Sequence, residues 1–348
     1  MSFGQLNASV HCARYLRNEY RGLNRSFEER VMAKSAIVRW SSPELILVAT
    51  NLLEGQNLLL HAMYQARLSR SPVLLVHVIR PSRLKSDYPE GAPSFLPSSA
   101  VQFVRATLDE SVKDFRREGI LCEPIVLAGS PAEQVRLLVK WRAVDRVIIA
   151  TRYASGIERL VEPSVAEELI TTLEVPVCVI GRRARPGPAC GTRLGRVLMA
   201  ASLRPSSAML AQFASTLAEL NHAQLTLLHV IDRDGMSDEQ RETARMEAQR
   251  KLAKLVAIEA RYTHDPVLLI REGDPATIIR DEAGSLPQDV VILGSPRFSM
   301  VSQILTNSVA HRVVIESQCP VITIKPSSAS SSQEIHELTG TEQVFTHS

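Results

Sequence analysis

Leu227-Leu228-His229-Val230-Ile231, an apolar run broken by one histidine, repeats an earlier run, Leu75-Val76-His77-Val78-Ile79. Other pairs flank it in the same order. Ile46-Leu47-Val48-Ala49-Thr50 returns as Val197-Leu198-Met199-Ala200-Ala201, and Ala128-Gly129-Ser130-Pro131-Ala132 as Glu272-Gly273-Asp274-Pro275-Ala276. Ser164-Val165-Ala166 returns as Ser308-Val309-Ala310, and Val175-Pro176-Val177 as Cys319-Pro320-Val321. The last three pairs share one spacing of about 144 residues, too long for a solenoid repeat, so a whole domain is duplicated. The earlier pairs are spaced slightly wider because a Pro- and Ser-rich loop, Arg80 to Ser99, lengthens the first copy.

Each copy alternates short apolar runs with segments of helical period. In the second copy the strands read Val197–Ala201, Leu225–Ile231, Val267–Arg271, Val290–Gly294 and Val321–Lys325. Met246, Leu252, Leu255, Val256 and Ile258 fall in one long helical stretch between the second and third. In the first copy Val101, Val104, Leu108, Val112 and Phe115 recur three or four apart, as one helix face requires. Strands without polar alternation, separated by helices, predict a parallel sheet covered on both faces. Right-handed crossovers then give an α/β fold of two open, doubly wound, five-stranded sheets.

The predicted organisation is a basic arm (1–43), a first domain (44–182), a Pro- and Gly-marked linker (183–194), a second domain (195–326) and a Ser-rich, disordered tail (327–348). A composition of 45% hydrophobic and 22% charged residues can supply two cores. A net charge of +3 is too small to imply nucleic acid unless clustered. In the arm, Tyr15, Tyr20 and Phe27 lie between arginines, a mixture that nucleic-acid surfaces use, but Glu19, Glu28 and Glu29 dilute it, so a solvated arm is expected. The same acids argue against a transit peptide, and no run reaches the roughly 18–20 apolar residues of a spanning helix. A cytoplasmic protein is expected.

Cysteines 12, 122, 178, 190 and 319 form no C-x-x-C pair, which argues against zinc and dithiol chemistry, and Cys178 and Cys319 are expected to be buried. His11 and Cys12 make too few ligands for a metal site. His77 and His229 occupy equivalent strand positions and are expected to serve the fold. His311 follows Ser308 by three residues, but without an orienting third group the pair is weak grounds for a nucleophile.

The order of landmarks (strand, G-D/S-P, helix, strand, glycine turn, helix beginning S-V-A, then an x-P-V strand) resembles the universal stress protein family over Leu45–Gly181 and Gly195–Lys325. In nucleotide-binding members the fourth strand ends in G-x-x-G, nine residues, then G-S/T. Glycines admit phosphates to the backbone, and the closing G-S opens a helix whose N-terminus favours anions. An Asp after the first strand meets the adenosine, and a Val after the second-strand His lines the adenine pocket. The first copy departs from this: Ala150-Thr151-Arg152-Tyr153 and Glu162-Pro163-Ser164 stand for the signature, and Asn51 for the Asp. Tyr153 adds bulk and Pro163 removes a donor. The second copy keeps Gly294, Ser295, Ser308, Val309 and the adenine-side Val230. It places Arg297 at the second Gly, Asn307 at the third and Ser202 at the Asp.

The resemblance thus implies a non-catalytic stress-response regulatory or binding protein with degenerate signatures, without a metal and with unknown protein partners. The alternative is an adenine-nucleotide-binding protein or slow ATPase, holding ATP in the second domain through Gly294, Ser295, Arg297, Asn307 and Ser308. It also implies a pseudo-dimer joined through the fifth strands, Val175–Ile180 and Val321–Ile324, with a higher oligomer as an open alternative.

Overall fold

The computed structural model describes residues 36–52, 55–80, 98–151, 165–188, 192–232, 235–257, 265–285, 289–295 and 308–325. Within them the elements run α1 (Ala36–Ser41), β1 (Ile46–Ala49), α2 (Gly55–Ser69), β2 (Val73–Ile79), α3 (Ser98–Arg117), β3 (Cys122–Ala128), α4 (Pro131–Arg142), β4 (Arg146–Ala150), α5 (Val165–Thr172) and β5 (Val177–Ile180). The second copy follows as β6 (Arg196–Ala200), α6 (Ser207–Asn221), β7 (Gln224–Ile231), α7 (Asp238–Ala257), β8 (Val267–Glu272), α8 (Pro275–Ser285), β9 (Val290–Gly294), α9 (Val309–Glu316) and β10 (Val321–Ile324). The fold is the α/β architecture read from the sequence, and the apolar runs place the strand ends to within about two residues.

Strands β1, β2, β4 and β5 are apolar throughout or nearly so because helices cover both of their faces. The order is β3-β2-β1-β4-β5 in the first copy and β8-β7-β6-β9-β10 in the second, all neighbours within a copy being parallel. β5 and β10 pair antiparallel, Cys178 opposite Ile322, and so fuse both copies into one ten-stranded sheet.

Two apolar clusters pack on the sheet, and each draws side chains from both copies. One gathers Leu108 and Phe115 of α3 with Phe213 of α6 and Leu252 of α7. The other gathers Val135 and Leu138 of α4, Leu169 of α5, Ile279 of α8 and Val313 of α9. At about 1.5–3 kcal/mol for each large side chain, burial of this kind is the main term holding the fold. Val104, Leu108, Val112 and Phe115 are all buried, whereas Phe103, one step off that stripe, is exposed. In α7 Leu252 is buried but Met246 is half exposed, so that helix offers a narrower apolar stripe.

Two segments outside the repeat also dock. The short helix α1 packs on α6 of the second copy, with Ser41 Oγ donating to the Phe213 carbonyl at 3.4 Å and Trp40 buried. Between the copies, Asn57 of α2 clasps the chain by donating to the Ala184 carbonyl (3.2 Å) and accepting from Gly187 N–H (2.9 Å). Gly187 is required there, since a Cβ would lie 2.7 Å from the backbone of His61. The arm before residue 36, the loop after Arg80 and the tail after Lys325 lie outside the described residues. Among the described residues no helix is long and apolar enough to cross a membrane.

Candidate functional site

In the second copy the strand order reverses between β6 and β9, the place where open α/β sheets bind ligands beyond their strand ends. Ser202 follows β6, Val230 lies near the end of β7, Gly294 closes β9, and Ser308 caps α9. With Ser295 and Val309 these are the described members of the predicted nucleotide set; Arg297 and Asn307 lie outside the described residues, as do Arg152, Tyr153, Glu162, Pro163 and Ser164 of the first copy.

Among the described residues a Cβ on Gly294 would meet only Leu210 Cδ2, at an ordinary 3.6 Å. Ser202 Oγ lies 3.3 Å from Ser207 Oγ at the start of α6, so this hydroxyl is shared with a helix start. Val230 is half-buried against the second cluster. Ser308 adopts the extended backbone of an N-cap (φ −67°, ψ 146°), and its Oγ accepts the backbone N–H of His311 at 3.2 Å. Spacing alone brought Ser308 and His311 together as a pair. Their link is this cap, while the imidazole turns elsewhere. Val309 is partly exposed beside them.

Ser295 has the most telling partners. Its N–H donates to the Ile324 carbonyl (2.8 Å), and its Oγ donates to the carbonyl of Ile170 in the first copy at 2.7 Å. Ile170 lies in the last turn of α5, where helix carbonyls have no intrahelical donor, so the signature-loop hydroxyl caps a helix of the other domain. One turn along the same boundary, His311 Nδ1 lies 2.8 Å from Glu167 Oε1, both side chains largely buried, and the buried His311 Nε2 has no partner among the described residues. Glu167 and His311 hold the same position in their repeats, third after Ser164 and Ser308. The two copies thus carry unlike side chains at this position, and the two meet across the boundary.

The first copy is not the mirror of this. Thr151, the counterpart of Ser295, keeps the backbone bond (to Ile180, 3.1 Å), but its buried Oγ1 has no partner among the described residues. The carbonyl it would need by symmetry, that of Val314, faces Gly181 so closely that a Cβ on Gly181 would sit 2.5 Å from it. Arg185 adds a further clasp, donating from its guanidinium to Gln318 Oε1 and from its backbone to the Gln318 carbonyl, each at 2.8 Å. Ile170, Glu167 and Gly181 were not among the predicted site residues. The unlike residues at positions 167 and 311 were the one signal in the repeat that could have pointed to them.

His77 and His229 serve the fold alike: each Nδ1 lies 2.8 Å from the carbonyl just after the first strand of its copy, Thr50 or Ala201. Burial pushes the Cys178 and Cys319 thiols up to about 11, so neither is a nucleophile near neutrality. Among the described residues no three His, Cys, Asp or Glu gather to hold a metal ion.

A model of the universal stress protein family matches this chain twice, over residues 44–181 and 194–325. A universal stress protein of Synechocystis sp. is 26% identical over 118 residues, which cover 33% of this chain and 74% of the relative. Among solved structures, a universal stress protein from Archaeoglobus fulgidus superposes with a TM-score of 0.62 at 18% identity, covering 82% of this chain and 97% of its own. A protein of unknown function from Pseudomonas aeruginosa superposes with a TM-score of 0.58, also at 18% identity, over 86% of this chain and 98% of its own. At such identities these two likenesses speak to the fold.

Proposed function

Because the chain belongs to the universal stress protein family, and carries its domain twice, we propose that it is a non-catalytic regulatory tandem of that type. In this reading the signature loop of the second domain holds the two domains together instead of gripping phosphate. The observation that carries it is the Ser295 hydroxyl, committed at 2.7 Å to the Ile170 carbonyl of the other domain. Two further features support it. Ser202 replaces the carboxylate that would hold a ribose and lies against Ser207. The Glu167–His311 contact uses the side chain projecting from the first turn of α9, the helix that would face an anion. What the protein regulates follows from which partner reads the joined domains, and we assign that partner only as a protein in the cytoplasm.

The second reading, an adenine nucleotide such as ATP held weakly in the second domain with slow hydrolysis at most, draws on Gly294, uncrowded among the described residues, and the N-capped start of α9. Isothermal titration of the full chain with ATP, ADP and AMP separates the two. The regulatory reading expects no saturable heat up to millimolar nucleotide. A saturable isotherm that disappears in Gly294→Val, and persists in Tyr153→Gly, would replace it with the second.

A further inference from the structure

The ten-stranded sheet has two edges, β3 and β8, which are counterparts in the repeat, and the chain treats them differently. The registers align them: His77 lies opposite Val126 and His229 opposite Ile270, so Glu123 corresponds to Val267 and Pro124 to Leu268. On β3 both positions carry blocking devices. Glu123 is held by Arg142 through a two-pronged pair (2.8 and 3.3 Å), and Pro124 has no N–H. On β8 the same positions are bare Val267 and Leu268, which are 42% and 38% exposed.

Backbone direction makes the contrast sharper. Gly129 N–H donates to Ile79 and Gly273 N–H to Ile231, so residues of that parity face inward and the alternate residues face away from the sheet. Pro124 therefore stands at an outward position, where an edge proline costs no ladder bond. Leu268 stands at the equivalent outward position with no backbone partner among the described residues, and Ile270 is the next outward residue; Pro266, the outward residue before them, has no N–H, so the open stretch of this edge is Leu268 to Ile270. The Ile270 carbonyl has only a 3.4 Å approach from Arg271 Nη1, whose guanidinium is anchored on Glu282.

We propose that the β8 edge pairs antiparallel with β8 of a second copy of this chain, extending the sheet across a two-fold axis. In the register centred on Leu269, Leu268 of each copy exchanges both backbone hydrogen bonds with Ile270 of the other, and apolar side chains meet on that face. The occupant is a second copy because the chain carries one open edge and one blocked edge. A two-fold contact consumes the open edges and leaves only the proline-blocked ones outside, which gives a closed dimer rather than a fibre. The chain already joins its own repeats by antiparallel pairing of edge strands, β5 with β10, within one continuous sheet.

Sedimentation velocity of the full chain over a range of concentrations tests this, with hydrogen exchange at the Leu268 and Ile270 amides. The expected result is a monomer–dimer equilibrium, with those two amides protected as concentration rises. Leu268→Pro, which transplants the device of the first copy to a position where no internal bond is lost, is expected to leave a folded monomer by circular dichroism. Val267→Arg, which in that register sets a like charge opposite Arg271 of the other copy, is expected to weaken the dimer at least tenfold without touching the backbone. The reciprocal Pro124→Leu, which opens the second edge, is expected to yield species larger than a dimer. A wild-type chain that remains monomeric at every concentration, or a dimer that persists in both β8 variants, would overturn the proposal.

Discussion

Replacing Ser295 by Ala removes one oxygen and tests which partner that oxygen serves. The hydroxyl lies 2.7 Å from the Ile170 carbonyl in a part-buried boundary between the domains. A hydrogen bond of this kind contributes about 1 kcal/mol net, and an acceptor left dry costs about 1–3 kcal/mol. Ile170 sits in the last turn of α5, so its carbonyl has no helical donor to fall back on, but water can reach a part-buried site. Ser295→Ala is therefore expected to destabilise the chain by about 1–2 kcal/mol, a factor of roughly 5–30 in the unfolding equilibrium. The same measurement carries an internal control. Thr151 is the counterpart in the first copy, and its buried Oγ1 has no partner among the described residues, so Thr151→Val, which trades that hydroxyl for a methyl of equal size, is expected to be neutral or stabilising. Equilibrium urea unfolding, followed by circular dichroism and tryptophan fluorescence, reads both. Equal stability of Ser295→Ala and wild type, or a loss above about 1 kcal/mol in Thr151→Val, would refute the asymmetry on which the functional reading rests.

Gly181→Ala places a Cβ 2.5 Å from the Val314 carbonyl, so α9 and the chain just after β5 must move apart. A loss of about 1–3 kcal/mol is expected in the same urea assay, and full wild-type stability would show that the domains do not approach so closely. Phe115→Ala and Phe213→Ala empty fully buried sites in one cluster that spans both copies. Each is expected to cost about 3–5 kcal/mol and to lower a single calorimetric transition, whereas two transitions with only one displaced would show that the domains unfold independently. His61 lies 3.0 Å through Nε2 from the Arg185 carbonyl, and burial lowers its pKa below the ordinary value of 6.5. A histidine depressed by folding contributes fully above its unfolded pKa, and that contribution drains as pH falls through it. The melting temperature of wild type is therefore expected to fall, as pH drops below the ordinary histidine value of about 6.5, more steeply than that of His61→Gln, which keeps a donor but does not titrate; parallel pH profiles would remove His61 from the clasp.

The fold was legible because the features that encode it are local or repeated. Apolar runs such as Leu225–Ile231 mark covered strands, Gly-Asp-Pro at residues 273–275 marks a helix start, and the repeat fixes the order of both. The site was legible only as a set of positions. The replacement of Asp by Ser202 and the survival of Gly294 and Ser308 can be read directly from the sequence. That Ser295 would donate across the boundary to Ile170 cannot be read, since the partners are 125 residues apart and the bond depends on how β5 meets β10. The clasp of Asn57 on Ala184 and Gly187 was hidden for the same reason: Pro and Gly signal a break in regular structure, not whether the chain is free or strapped down. The packing of α1 on α6 rests on Trp40 and Ser41, which lie just before the first strand where no periodicity is long enough to show a face.

The central claim, that the second domain's signature loop is spent on the first domain and not on a nucleotide, is tested most directly by mass spectrometry. Small molecules released on denaturing protein purified without added nucleotide would be identified and quantified against the chain. The account expects no adenine nucleotide in stoichiometric amount. An adenine nucleotide recovered at close to one per chain, and lost from Gly294→Val, would contradict it.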